Sequence, residues 1–175
     1  MKRINRWLTA LLAVLCLLSL VACKKDQTEN GGNDDVFGFT VDGVKAIPGA
    51  KAADVLTALA SRNPAVSSKG SCLGGVEVAG EDVTYVYAGF RIQTYRLSEG
   101  DPDEEIRWIT FTDDSVKTEE GIAIGATVDA VKAAYGTPTE ETGSTLIYRR
   151  SKTELRFETR NGAVNGISYT VSEAE

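Results

Sequence analysis

Clustered carboxylates are the most prominent side chains of this chain that could take part in chemistry. The acidic run Asp101–Glu105 resembles the start of a calcium loop, but Ile106 stands where such a loop needs glycine and Thr112 where it needs glutamate. Adjacent carboxylates occur again at Asp113–Asp114, Glu119–Glu120 and Glu140–Glu141. A pair of carboxylates can serve acid–base catalysis, yet side chains that are neighbours in sequence usually diverge. We therefore interpret these residues as solvated surface charge.

The absence of histidine excludes several classes of site at once. With no histidine in the 175 residues, Ser-His-Asp and Cys-His catalysis and every histidine-containing metal site are unavailable. The sequence also contains no phosphate-binding loop, no dinucleotide fingerprint and no cysteine cluster of metal-site spacing. We predict that the protein is not an enzyme and that it has no catalytic residue, no metal and no cofactor.

The first 22 residues have the order of a secretory signal. Lys2, Arg3 and Arg6 precede an apolar run over residues 7–22. A helix of this run would be roughly 24 Å long, which is short of a hydrocarbon core of about 30 Å. A removable leader is therefore predicted in preference to a retained transmembrane span.

The end of the leader resembles the bacterial lipobox. Leu20-Val21-Ala22-Cys23 matches it at all four positions. The resemblance implies that Cys23 is diacylated and becomes the first residue, and two acyl chains anchor a protein stably. After Cys23, the rest of the segment 23–35 contains no apolar residue, as expected for a flexible tether. We predict a lipid-anchored protein at the extracytoplasmic face of the cell membrane, which it contacts through the lipid on Cys23.

Cysteine and charge counts agree with this location. Cys16 leaves with the leader and Cys23 carries lipid, so Cys72 alone remains and no disulfide forms within the mature domain. We interpret Cys72 as a small buried hydrophobe and not as a nucleophile, since no histidine is available to activate it. Losing the three cations of the leader lowers the formal net charge from −6 to −9. Such an acidic domain is not expected to bind nucleic acid.

Two parts of the chain resemble each other. Three matched blocks follow in the same order, namely residues 49–59 with 125–135, 82–87 with 143–148, and 106–112 with 164–170. Helices are predicted over 50–61 and 127–135, with Thr127 as an N-cap, and Asn161-Gly162 predicts a hairpin turn. We predict an α+β fold in which each of two tandem repeats is a helix followed by a three-stranded antiparallel sheet. The repeats cover residues 36–117 and 118–172 and form a single domain over 36–172, which is followed by a short tail at 173–175. The alternative is one mixed sheet whose halves only look alike.

This arrangement resembles the beta-lactamase-inhibitor protein. The stretch around Gly125-Ala126-Thr127 and Tyr135-Gly136-Thr137-Pro138 is also similar to the small lipoprotein of the outer-membrane barrel-assembly machinery. As a whole, including Ser71-Cys72, Tyr85-Val86-Tyr87 and Thr112–Val116, the chain looks most like uncharacterised surface lipoproteins of Clostridia-type Gram-positive bacteria. These motifs are structural, so the resemblance assigns no catalytic or binding residue.

Strand alternation indicates where a partner would bind. If Ile109 and Phe111 face the helices, then Ile106, Trp108 and Thr110 point to the other face of the sheet. The same reasoning places Arg91, Gln93 and Tyr95 on that face. Trp108, Tyr95 and Arg91 together have the composition of an interface hot spot. The competing interpretation is that Trp108 only packs against the segment from Pro64 to Gly80, which we predict to be a long loop with one short strand at Val76 to Val78.

The expected function is therefore a non-catalytic one. We predict an envelope module that binds or scaffolds an unidentified envelope or extracellular protein. The first alternative is an inhibitor of a secreted hydrolase, and the second is a histidine-free enzyme.

Overall fold

Ten β-strands and two short α-helices build the described part of the chain, which comprises residues 35–73 and 76–172 of a computed structural model. The strands are β1 (Phe39–Val41), β2 (Val44–Ala46), β3 (Ala65–Leu73), β4 (Val76–Val86), β5 (Phe90–Arg96), β6 (Glu105–Phe111), β7 (Glu140–Thr142), β8 (Thr145–Arg150), β9 (Thr153–Arg160) and β10 (Ala163–Val171). The helices are α1 (Ala53–Ala58), which is followed by a 3₁₀ turn at Ala60–Arg62, and α2 (Val128–Tyr135). The predicted leader, Cys23, the tether up to residue 34 and the tail at 173–175 lie outside the described residues.

Eight of the strands form one antiparallel sheet. Their order is β3-β4-β5-β6-β10-β9-β8-β7, and β1 and β2 form a separate hairpin. Strands β6 and β10 lie side by side at the centre, with Ile109 opposite Tyr169 and Trp108 opposite Thr170. The central pair therefore joins the first half of the chain to the second.

The predicted fold class is wrong. The protein is mostly β, and a helix followed by a three-stranded sheet does not recur in it as a tandem unit. The blocks predicted to close two separate sheets, residues 106–112 and 164–170, instead pair with each other inside one sheet. The observed sheet is closer to the single-sheet alternative, although every described strand pair in it is antiparallel.

One face of the sheet carries the hydrophobic core. Side chains of β5, β6, β9 and β10 alternate, and those on the inner face pack against α1, α2 and the β1–β2 hairpin in a single buried cluster. Its fully buried members include Phe90, Ile92, Ile106, Ile109, Val131, Leu155, Phe157 and Ile167. The opposite face, here called the outer face, carries mainly exposed or half-buried side chains. They include Thr84, Arg91, Gln93, Tyr95, Trp108, Thr110, Ser168, Thr170, Arg156 and Arg149.

A β-bulge in β6 changes which side chains reach the outer face. Gln93 pairs with Trp108, but the next residue of β5, Thr94, pairs with Ile106, so Arg107 is the extra residue. Ile106 thereby returns to the core and is completely buried. The prediction that Ile106 shares a face with Trp108 is wrong, because strict alternation does not hold across a bulge.

Local signals were accurate around the second helix. The Thr127 hydroxyl accepts a hydrogen bond from the Ala130 backbone N–H at 3.1 Å, which confirms the predicted N-cap of α2. The predicted turn between β9 and β10 is also confirmed, with φ of 54° at Asn161 and 79° at Gly162. Two consecutive positive φ angles are what a type I′ hairpin turn requires.

The segment from Pro64 to Gly80 differs from the expectation. In place of a loop with one short strand, most of it belongs to the long hairpin of β3 and β4. Side chains of residues 65–70 are exposed on both faces of β3, which is an edge strand. Cys72 is exposed and unbonded, so its interpretation as a buried hydrophobe is wrong.

Candidate functional site

The three predicted interface residues lie on two adjacent strands. Arg91 and Tyr95 project from β5 and Trp108 from β6, all on the outer face. Trp108 is 45% exposed, which is unusual for so large an aromatic side chain at the centre of a sheet. Trp108 pairs directly with Gln93, so Arg91 and Tyr95 lie on either side of its cross-strand partner. The structure thus brings the three residues together, and their role in binding stays a prediction.

Arg107 is a fourth member of this group, and strict strand alternation does not predict it. The bulge in β6 turns Arg107 to the outer face, where its guanidinium carbon lies 5.1 Å from the centre of the Tyr95 ring. The Tyr95 hydroxyl donates to the Ala79 carbonyl oxygen at 2.7 Å, which fixes the ring beneath the guanidinium. One sequence signal could have located the bulge. Ile106 and Ile109 are three residues apart, whereas two inward side chains of a regular strand are separated by an even number.

The first of two clefts beside Trp108 lies toward the β3–β4 hairpin. It has a volume of about 350 Å³. Its lining residues are Ser71, Cys72, Val78, Asp82, Tyr95, Arg107 and Trp108. Aromatic and aliphatic side chains line it, together with the Arg107 guanidinium and the Asp82 carboxylate. Such a cleft can hold an apolar side chain together with a charged group.

The second cleft lies on the other side of Trp108 and is more polar. It has a volume of about 340 Å³ and is lined by Trp108, Arg149, Glu154, Arg156, Thr170 and Val171. Glu154 is 5% exposed and accepts hydrogen bonds from Arg149 at 3.0 Å and from Arg156 at 2.8 Å. Arg149 also donates to Glu140 at 3.0 Å, and this bond lowers the pKa of the Glu140 carboxyl. This wall is therefore a fixed network of compensated charges.

Arginines near Trp108 differ in how their charge is compensated. Within residues 35–73 and 76–172, the arginines that form an ion pair with a carboxylate are Arg62, Arg96, Arg149, Arg150 and Arg156. Among the side chains that the structure describes, no ion pair involves Arg91, Arg107 or Arg160. Two of these three flank Trp108.

One residue of the predicted acidic surface turn is buried. Glu104 is 8% exposed and accepts hydrogen bonds from the Thr94 hydroxyl and, at 3.0 Å, from the Tyr85 hydroxyl. Arg96 lies 3.9 Å from its second oxygen. Interpreting Glu104 as solvated charge is therefore wrong. Its carboxylate links β4, β5 and the turn before β6, which is a structural role.

No group of three or more cysteine, aspartate or glutamate side chains in the described ranges is arranged to hold a metal ion. No helix in those ranges is both long enough and apolar enough to cross a membrane. Comparison with protein-family models, curated proteins and solved structures finds no match to this chain.

Proposed function

We propose that this chain is a lipid-anchored extracytoplasmic protein that binds another envelope or extracellular protein through the outer face of its sheet, without catalysing a reaction. The observation that carries the proposal is Trp108, which is 45% exposed at the centre of that face and has a cleft on each side. A tryptophan in this position leaves apolar surface in contact with water until a partner covers it.

The composition around Trp108 supports a protein partner. Tryptophan, tyrosine and arginine are the residues that most often dominate the binding energy of protein interfaces. Trp108, Tyr95, Arg91 and Arg107 project from paired strands of one sheet, so little backbone freedom would be lost on binding. Both clefts are lined by side chains of this face, which suits side chains of a partner.

The proposed location rests on the N-terminal sequence. A basic segment, an apolar run and Leu20-Val21-Ala22-Cys23 follow one another as in bacterial lipoproteins. A diacylated Cys23 would hold the domain at the membrane, and the polar tether would leave the outer face accessible to partners beyond it.

Replacing Cys23 with alanine should release the protein from the membrane. Without the thiol no diacyl group can be attached, and two acyl chains provide nearly all of the expected membrane affinity. Cell fractionation followed by immunoblotting measures the change, and Cys72→Ala is the matched control because it removes a cysteine of the described domain. If Cys23→Ala stays in the detergent-extracted membrane fraction as the unmodified protein does, the proposed anchor is wrong.

Replacing Trp108 with alanine should weaken partner binding about thirtyfold while the fold is retained. Truncating a hot-spot aromatic residue typically costs 2 kcal/mol or more of binding free energy, which corresponds to roughly that factor. The purified protein and the variant would be used as bait for envelope extract, and the dissociation constant of the captured protein would then be measured for both.

Leu97→Ala is the control for this experiment. Leu97 is 65% exposed, follows the last residue of β5 and lines neither cleft, so its replacement should change neither binding nor stability. If Trp108→Ala keeps its affinity and loses thermal stability, Trp108 serves only to pack against the β3–β4 hairpin and the proposed binding face is wrong.

A further inference from the structure

The Arg107 guanidinium is held in position over an aromatic ring. It lies over the Tyr95 ring at 5.1 Å, and the Tyr95 hydroxyl is bound to the Ala79 carbonyl oxygen. Among the carboxylates whose side chains the structure describes, none comes within ion-pair distance of Arg107. A guanidinium that stacks on an aromatic ring still presents its N–H donors at its edge, where they match the two oxygens of a carboxylate.

The other side of Trp108 shows how this protein uses such donors. There Arg149 and Arg156 both bind the Glu154 carboxylate, at 3.0 and 2.8 Å. The clefts therefore share Trp108 as a wall but differ in one respect. In the second cleft both arginines bind a carboxylate of the chain itself, whereas in the first cleft Arg107 forms no ion pair with Asp82.

Asp82 limits what can bind in the first cleft. It pairs across the strands with Tyr95 and lines the same cleft as Arg107. A ligand with several adjacent negative charges would be repelled by Asp82 and by the acidic chain, whose 175 residues have a formal net charge of −6. One carboxylate beside an apolar group is repelled less, and the apolar group can pack on Trp108.

We propose that the first cleft binds a single glutamate or aspartate side chain of the partner protein, with its carboxylate on Arg107 and a neighbouring apolar side chain against Trp108. This inference rests on the proposed function, since it specifies the chemistry of the partner at the same face. Charge complementarity between Arg107 and the carboxylate sets the position of the partner, and Trp108 supplies the apolar contact.

The experiment uses capped tripeptides as probes of the purified protein. Leu-Glu-Leu, blocked at both ends, is the probe, and Leu-Gln-Leu and Glu-Glu-Glu are its controls. Binding is followed by NMR through the indole N–H signal of Trp108, identified with the variant Trp108→Phe. We expect Leu-Glu-Leu to bind at least tenfold more tightly than either control peptide.

Arginine variants then show which group binds the carboxylate. Arg107→Gln should weaken binding of Leu-Glu-Leu at least tenfold and leave the weak binding of Leu-Gln-Leu unchanged. Arg107→Lys should restore only part of the affinity, because an ammonium group neither stacks on Tyr95 in the same way nor binds two oxygens side by side. Arg160→Gln is the matched control, since Arg160 also lacks an ion pair among the described residues but lies at the exposed end of β9.

The outcomes separate this inference from the proposed function. Equal binding of Leu-Glu-Leu and Leu-Gln-Leu, or tighter binding of Glu-Glu-Glu, overturns the carboxylate site. Tighter binding of polygalacturonate than of Leu-Glu-Leu also overturns the carboxylate site and indicates that the ligand is an anionic glycan. Self-association of the protein that Arg107→Gln abolishes overturns it too, and indicates that a second copy of the chain occupies the cleft. If partner capture depends on Trp108 but not on Arg107, the proposed protein-binding face is supported and the proposed carboxylate site is wrong.

Discussion

Replacing Phe90 with alanine should lower the free energy of unfolding by about 3–5 kcal/mol, the range typical of a buried phenylalanine. Phe90 is completely buried at the start of β5. Its ring stacks on Tyr87 with 4.8 Å between centroids and meets the edge of Phe39 at 5.0 Å. It therefore joins the main sheet to the β1–β2 hairpin, and truncation would leave a cavity that this rigid surrounding cannot fill.

Urea unfolding followed by circular dichroism measures this loss. Val86→Ala is the control on the neighbouring strand, because Val86 is 43% exposed on the outer face and its replacement should change stability by about 0.5 kcal/mol or less. A loss below about 1 kcal/mol for Phe90→Ala would show that the aromatic cluster is not packed as described.

The second large effect is expected at alkaline pH, where the protein should unfold cooperatively between about pH 10 and 12. Burial, together with a hydrogen bond to Glu104, raises the pKa of Tyr85 to about 12. Burial also raises the pKa of Tyr135, Tyr169, Tyr148 and Tyr87 above the ordinary value. In the unfolded chain these hydroxyls ionise near pH 10, so above that pH the unfolded state binds fewer protons than the folded state. Stability is therefore unaffected by these groups below about pH 10 and falls as pH rises through the window.

Absorbance of tyrosinate at 295 nm and circular dichroism, recorded in one titration, test this expectation. The two signals should change together, since the buried hydroxyls ionise when the fold opens. Tyr85→Phe removes one of the groups and should reduce the slope of stability against pH in this window. Full ionisation of the tyrosines around pH 10 with an unchanged dichroism spectrum would contradict the burial of these rings.

Sequence patterns predicted well those features that depend on a few neighbouring residues. The N-cap of α2, the Asn161-Gly162 turn and the placement of Arg91 and Tyr95 on one face follow from local hydrogen bonding, turn geometry and alternation. Each of these features is specified within one element or one turn. Distant parts of the chain have little influence on them.

Features that depend on distant pairing were not predicted. Residues 106–112 and 164–170 each read correctly as a strand, but nothing in either segment shows that they pair with each other, and the predicted fold class was wrong for that reason. Strand β3 is exposed on both faces, so it lacks the alternation that marks a half-buried strand. Glu104 is buried only because Tyr85 and Thr94, from two other strands, supply its hydrogen bonds.

Trp108 lies where the two halves of the sheet join, so its surroundings form only when both halves have folded. Strands that are consecutive in sequence pair on each side of the joint, whereas β6 and β10 come together only after a long loop has been closed. The second cleft takes Trp108 from one half and its other lining residues from the other half, so it does not exist until this slow pairing is complete. A chain that has folded only its first half would expose Trp108 without Arg149 and Arg156 beside it. Binding of a partner across the joint would in turn favour the fully assembled chain by mass action, which couples recognition to completion of folding.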